Sequence, residues 1–184
     1  MKIAVVSMGM NMRARYRGSA HGFAARTGSL RRRSPVSSPC SICNSLRSRH
    51  DPLELRRLEA FRLRSHAAPV PIAGWTIIDL IRHAETLDQL TEEESRELGS
   101  LLVRTSAAIR AATGCERVYL LAFAEAARHV HVHLVPRHGN DPRTDAWAVA
   151  DHYRAVAEGR AAPATESDSI AIAQEVAARV AGGL

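Results

Sequence analysis

The sequence predicts an α+β fold: an antiparallel β-sheet carrying one long helix, with further helices at the C-terminus. Three observations lead there. The stretches "WTIIDLIRH", "ERVYLLAFAE" and "HVHVHLVP" are short and read as strands, the first of them rich in β-branched and large apolar residues. One well-capped helical pattern separates the first of them from the second. Two more helical patterns trail the last strand, and strands enclosing one helix, with helices after them, mark an antiparallel α+β arrangement.

At 184 residues the chain suffices for one domain with a single core. Aromatic residues make up 4% against 46% hydrophobic residues overall, so that core rests on Leu, Val, Ile and Ala. The net charge of +6 is unevenly placed. Residues 1–39 hold eight of the 25 basic residues and no acidic one, which leaves 17 basic against all 19 acidic residues in 40–184. The basic character belongs to the leading segment, and the folded body is not expected to bind nucleic acid. No stretch approaches the ~18 apolar residues of a membrane span. The early run "IAVVSMGM" has no small-residue cleavage pattern after it, so no secretory signal is expected. Three cysteines, two of them as C-x-x-C, suit a reducing compartment and metal or redox use better than a disulfide framework. A cytoplasmic protein is expected.

Along the chain, residues 1–39 mix Gly, Ser, Pro and Arg without a sustained apolar period and read as a disordered basic arm. Residues 40–184 form the domain, with a core over 40–137 and a C-terminal helical extension over 138–184. "LEAFRLRSH" (58–66) predicts a strand with a register break, and "APVPIAG" (68–74) a connection. "WTIIDLIRH" (75–83) predicts a buried strand ending near His83. Thr91, followed by Glu92, Glu93 and Glu94, predicts a capping box, with Glu94 reaching back to the Thr91 amide. Leu98, Leu101, Leu102, Thr105, Ala108 and Ile109 then recur at helical spacing to about Ala112, and Gly114 stops the helix. Strands over 116–125 and 129–136 predict an antiparallel pair. "TDAWAVADHYRAVAEG" predicts a helix closing on Gly159, and "SDSIAIAQEVAARVAGG" a terminal helix capped by Ser167 or Ser169.

The stretch "RHVHVHLVPR" places His129, His131 and His133 at alternate positions. On a strand they share one face, about 7 Å apart at Cα, while Val130, Val132 and Leu134 turn to the core. That spacing suits contact with one phosphate better than chelation of one metal by the three histidines alone. Cys40 and Cys43 supply two thiolates, half of a tetrahedral zinc site. A thioredoxin-type redox pair is the competing reading, but there the motif opens a helix after a buried strand, and "RRRSPVSSP" is no strand. Cys115 reads as a core or turn residue.

Residues 129–135 fit H-φ-H-φ-H-φ-φ, the histidine triad signature. The order around them resembles the histidine triad family of nucleotide hydrolases and transferases, in its zinc-containing bacterial type. It runs from C-x-x-C near the start, through a strand ending Arg82-His83 and "LDQLTEEESRELG" into a long helix, to a strand leading to the triad and "HLVPR" leaving it. The resemblance covers about residues 40–155. It implies a structural zinc held by Cys40, Cys43, His83 and His129, with His50 and His66 as rival third ligands. It also implies His131 as the nucleophile on the phosphorus of a nucleoside 5′-phosphate derivative, a phosphoramidate or dinucleoside polyphosphate, through a nucleotidyl-histidine. His133 would donate to a phosphoryl oxygen, Arg128 would help bind the phosphate, and the protein would be a homodimer. A non-catalytic nucleotide- or phosphate-binding protein of the same fold is the alternative. The chain departs from the family pattern in two places. Ala124, Glu125, Ala126, Ala127 and Arg128 stand where a glycine turn with hydroxyl and amide donors is usual. No acidic residue lies between Glu59 and Asp79, where a ribose-binding one is expected.

Overall fold

A computed structural model describes residues 40–48, 50–123 and 126–182, so the expected arm over 1–39 lies outside the described residues. The elements run α1 (Ser41–Arg47), β1 (Glu54–Arg57), β2 (Phe61–Ser65), β3 (Thr76–Leu80), α2 (Glu92–Thr113), β4 (Arg117–Leu121), β5 (His131–Arg137), α3 (Val149–Ala157) and α4 (Glu166–Gly182). The five strands form one antiparallel sheet in the order β1-β2-β3-β5-β4. The predicted α+β class is the observed one. No helix is long and apolar enough to cross a membrane, among the residues described.

The long helix forms where its sequence demands it. The Thr91 hydroxyl accepts the Glu94 amide, and the Glu94 carboxylate accepts the Thr91 amide, so two orphan donors of the first turn are satisfied reciprocally. Gly114 ends the helix at φ 67°, a left-handed conformation that a side chain disfavours. Leu98, Leu101, Ala108 and Ile109 form its buried stripe. They pack with Val176 and Val180 of α4 against Phe61, Leu63, Ile78, Leu80 and Leu134 of the sheet. This face is the main core, and Cys115 and Val130 belong to it.

The opposite face is mixed. Ile72, Trp75, Ile77, Val135 and Val149 form a smaller apolar cluster at one end. At the other end the alternation of β2 and β3 brings Arg62, Arg64 and Asp79 to the surface of the sheet. Arg62 and Asp79 are both fully buried. Nε and Nη2 of Arg62 donate to Asp79 Oδ2 at 3.1 and 2.6 Å. Its Nη1 donates to Asp51 Oδ2 at 2.8 Å and to the Ser45 hydroxyl at 2.9 Å. Helix α1 is thereby tied to the middle of the sheet. A buried carboxylate and guanidinium tolerate desolvation only when paired and hydrogen-bonded in this way. Burial alone would raise the Asp51 pKa, but hydrogen bonds from the Leu53 amide and the Ser45 hydroxyl, with Arg62 and Arg64 nearby, hold it below the usual carboxylate value.

Several boundaries differ from the sequence expectations. Residues 58–60 do not extend a strand. The register break is the turn of a hairpin, closed by the Leu58 amide on the Phe61 carbonyl, between β2 and the unforeseen β1. Strand β3 stops at Leu80, three residues short of His83. The terminal helix is capped by neither Ser167 nor Ser169: the Thr165 hydroxyl accepts the Asp168 amide. The C-x-x-C segment, for which no element was expected, starts α1, with Cys40 at its N-cap position.

Asp79→Asn is expected to cost about 3–5 kcal/mol of unfolding free energy, because it removes the partner of a buried guanidinium. Urea unfolding measures it, and a loss below about 1 kcal/mol would show that the network does not hold the fold.

Candidate functional site

Cys40, Cys43, His83 and His129 come together in the folded chain, with one ligand atom from each, all within 4.8 Å of one another. Helix α1 brings the two cysteines. His83 lies just past β3, and His129 sits in the bend before β5. Nδ1 of His129 lies 3.4 Å from the Cys40 sulfur and 3.5 Å from the Cys43 sulfur, and Nδ1 of His83 lies 3.4 Å from the Cys43 sulfur. A tetrahedral zinc with ordinary bond lengths has S···N edges of about 3.6 Å, so these side chains fit such an ion.

The ring of His129 is oriented from behind: its Nε2 donates to the Leu80 carbonyl at 2.7 Å, leaving the Nδ1 lone pair for the thiols. Burial, then the charges of His83 and His131, push the His129 pKa down despite the Leu80 hydrogen bond, which favours a neutral, ligating imidazole. Desolvation, followed by the hydrogen bond and charge of Cys40, pushes the Cys43 thiol up. A buried histidine bonded to a backbone carbonyl is by itself an ordinary core residue. The two sulfurs at its other nitrogen set this one apart.

His131 and His133 lie on β5 with ring centroids 5.0 Å apart. They form the strand-borne part of the triad, because His129 precedes the strand and is turned to the thiols instead of lining up with them. Nδ1–H of His131 donates to the His129 carbonyl at 2.7 Å. That fixes one tautomer and leaves the Nε2 lone pair available. For His133 the assignment is reversed. The Trp75 indole N–H donates to His133 Nδ1 at 3.0 Å, so Nδ1 carries the lone pair and Nε2 the proton. Two neighbouring imidazoles therefore present complementary groups, a lone pair and an N–H. Burial, followed by the charges of His131, His66 and Arg64, pushes the His133 pKa down to about 3, so its N–H donor is a neutral one.

No family model matches the chain, and no curated protein matches it significantly. Solved structures do match. A zinc-bound histidine triad family protein from Mycobacterium smegmatis superposes with a TM-score of 0.58 at 14% identity, over 78% of this chain and 94% of that one. A histidine triad protein from Sinorhizobium meliloti gives 0.52 at 22% identity, over 72% and 89%. This chain has the histidine triad fold. A histidine triad nucleotide-binding protein, described as hypothetical, from Sulfolobus tokodaii adds a TM-score of 0.51 at 16% identity, over 71% and 84%.

Within the histidine triad fold of this chain, three of the candidate residues stand apart from the site. Arg128 is exposed, and no contact among the described residues joins it to the histidines. His50 and His66 stand outside the four-residue cluster: His50 is exposed near Ser48, and His66 packs against Trp75 and Tyr153. The departure at 124–128 is only partly visible, since Ala124 and Glu125 lie outside the described residues. Trp75 and the Arg62–Arg64–Asp79 group escape sequence reasoning. Trp75 reads as the apolar start of a strand, and its partner is 58 residues away. Only the register of β3 on β5, which pairs Ile77 with His133, brings its ring to that imidazole.

In NMR of the folded protein, His133 should be the Nε2–H tautomer and stay neutral until about pH 3. Between its ordinary value of 6.5 and that pH, the unfolded chain binds a proton that the folded chain does not. Its contribution to stability is therefore full above pH 6.5 and is lost as the pH falls toward 3. Trp75→Phe should keep the packing but mix the two tautomers. An unchanged nitrogen spectrum would show that Trp75 does not set the tautomer.

Proposed function

We propose that the protein is a nucleotide hydrolase of the histidine triad family, acting on a nucleoside 5′-phosphate derivative such as a phosphoramidate or dinucleoside polyphosphate. The carrying observation is the pairing of a free Nε2 lone pair on His131 with the Nε2–H of a neutral His133, both set by hydrogen bonds to the opposite ring nitrogens. His131 Nε2 attacks the phosphorus, an N–P bond forms, and the bond to the leaving group breaks as that group takes the electron pair and a proton from solvent. Water then attacks the same phosphorus, the N–P bond breaks, and a proton is released to solvent. Splitting one displacement into two lowers the barrier of each. His133 donates to the phosphoryl oxygen on which charge builds. The likeness to the hypothetical histidine triad nucleotide-binding protein of Sulfolobus tokodaii supports the substrate class.

In this reading Cys40, Cys43, His83 and His129 hold a zinc ion, which the zinc-bound Mycobacterium smegmatis protein supports. Four protein ligands leave no open position, so the ion supplies structure and not Lewis-acid chemistry. A homodimer in the cytoplasm, with no nucleic-acid partner for the folded body, completes the proposal. One observation favours a second reading, a binding protein without turnover: Ala126 and Ala127, just before the triad, offer no side-chain donor to a leaving group.

Two measurements test these readings. Incubation with a fluorogenic adenosine phosphoramidate and with a dinucleoside polyphosphate should give turnover that falls by at least about a thousandfold in His131→Ala. No turnover, with nucleotide binding kept in calorimetry, selects the second reading. Elemental analysis should find about one zinc per chain, lost in Cys43→Ser together with thermal stability. Stable, metal-free wild-type protein would sink the zinc assignment.

A further inference from the structure

The triad face carries a charged group that the proposed chemistry has not yet used. Arg64 stands two strands from His133: it pairs with Ile77 on β3, and Ile77 pairs with His133 on β5, so all three share a face. Its guanidinium does not extend straight outward. Nε donates to Asp79 Oδ2 at 2.7 Å and Nη2 to Asp79 Oδ1 at 3.3 Å, a two-point grip. Asp79 is itself the register partner of His131, so the grip draws the cation toward the histidines. The charge of Arg64 is felt at both His133 and His66.

Asp79 occupies only Nε and Nη2 of this guanidinium. One carboxylate is shared between Arg62 and Arg64. Arg62 has further partners in Asp51 and Ser45, whereas Nη1 of Arg64 has none among the described residues. The side chain remains 15% exposed. It borders a cavity of about 190 Å³ whose other walls include Ser41, Ser45 and Leu53. Asp51 also lines this cavity, but its carboxylate already accepts from Arg62, Ser45 and the Leu53 amide. The side of the triad face toward β2 therefore offers a pre-oriented cation at the edge of a recess that Ser41, Ile42, Ser45, Asp51 and Leu53 also line. The segment on the other side, before β5, offers alanines at 126 and 127.

We propose that Arg64 forms an anion subsite beside the triad, and that the substrate carries a second negatively charged group, a phosphate, beyond the phosphoryl group that His131 attacks. This rests on the hydrolase reading for the identity of the reacting group, but the subsite itself is a binding property. Asp79 and Arg62 are positioning residues: they hold the guanidinium in one rotamer, so that little of its freedom is lost on binding. A substrate whose leaving group is a phosphate is favoured by this cation, and one whose leaving group is a protonated amine is repelled by it.

Calorimetry on the full chain with orthophosphate and pyrophosphate tests the proposal. Wild-type protein should bind pyrophosphate about tenfold more tightly than orthophosphate, and Arg64→Gln should abolish that difference. His131→Ala should keep it, which separates the subsite from the hydrolase reading: loss of turnover with the pyrophosphate preference intact leaves the subsite standing. Failure of wild-type protein to prefer pyrophosphate, or an unchanged preference in Arg64→Gln, overturns the proposal. If Arg64→Gln proves too unstable to assay, Arg64→Lys decides. One ammonium cannot grip Asp79 and a ligand together, so pyrophosphate binding should weaken by roughly threefold or more, and unchanged binding overturns the subsite.

Discussion

The fully buried ion pair between Arg62 and Asp79 is the constraint on which the site depends. Neither charge can remain in the interior without the other, and neither can leave without shifting a strand. Arg62 and Asp79 are register partners on β2 and β3, so the pair is satisfied in one alignment of the two strands. A slip of β2 by one residue would turn Arg62 into the apolar core, where Leu63 now sits, and leave Asp79 without its partner. A buried pair of this kind contributes little net stability compared with an apolar substitute. What it contributes here is a unique register, together with a hold on α1 through Ser45 and Asp51.

That hold matters because α1 carries Cys40 and Cys43. The four-residue Cys/His cluster and the strand histidines are joined through a single residue. The imidazole of His129 faces the two sulfurs, while its carbonyl accepts the Nδ1 proton of His131. Anything that anchors the His129 side chain also anchors the carbonyl that sets the tautomer of its neighbour. The bend that takes His129 out of the strand has this effect: it lets one residue serve the cysteines with its ring and His131 with its backbone.

Elements governed by short-range rules were legible in the sequence. The second helix was, because its capping box, its apolar spacing and Gly114 are all read within a few residues. So was the antiparallel pairing of β4 with β5. Strand β1 was not legible. Its residues "ELRR" lie at the sheet edge with one side toward water, and three of the four are charged, so no apolar alternation announces it. The cap of the last helix was misplaced because Thr165, Ser167 and Ser169 are all competent caps, and only the path of the preceding chain chooses among them.

By itself the sequence determined which chemical groups were available and which were spaced to act together: two thiols three residues apart, histidines at alternate positions, and a histidine expected at the end of a buried strand. It also determined both ends of α2 and the α+β class, because these follow from backbone sterics and local hydrogen bonds. Tertiary structure alone decided how the histidines divide. His129 meets the sulfur of Cys40 across 89 residues, and His133 meets Trp75 across 58. It likewise decided that Arg64 turns toward the triad face, since Asp79 on the next strand draws it there. The physical reason is the same in each case. A ring nitrogen's role is set by its hydrogen-bond partner, and that partner comes from another strand, whose register depends on how the whole sheet packs.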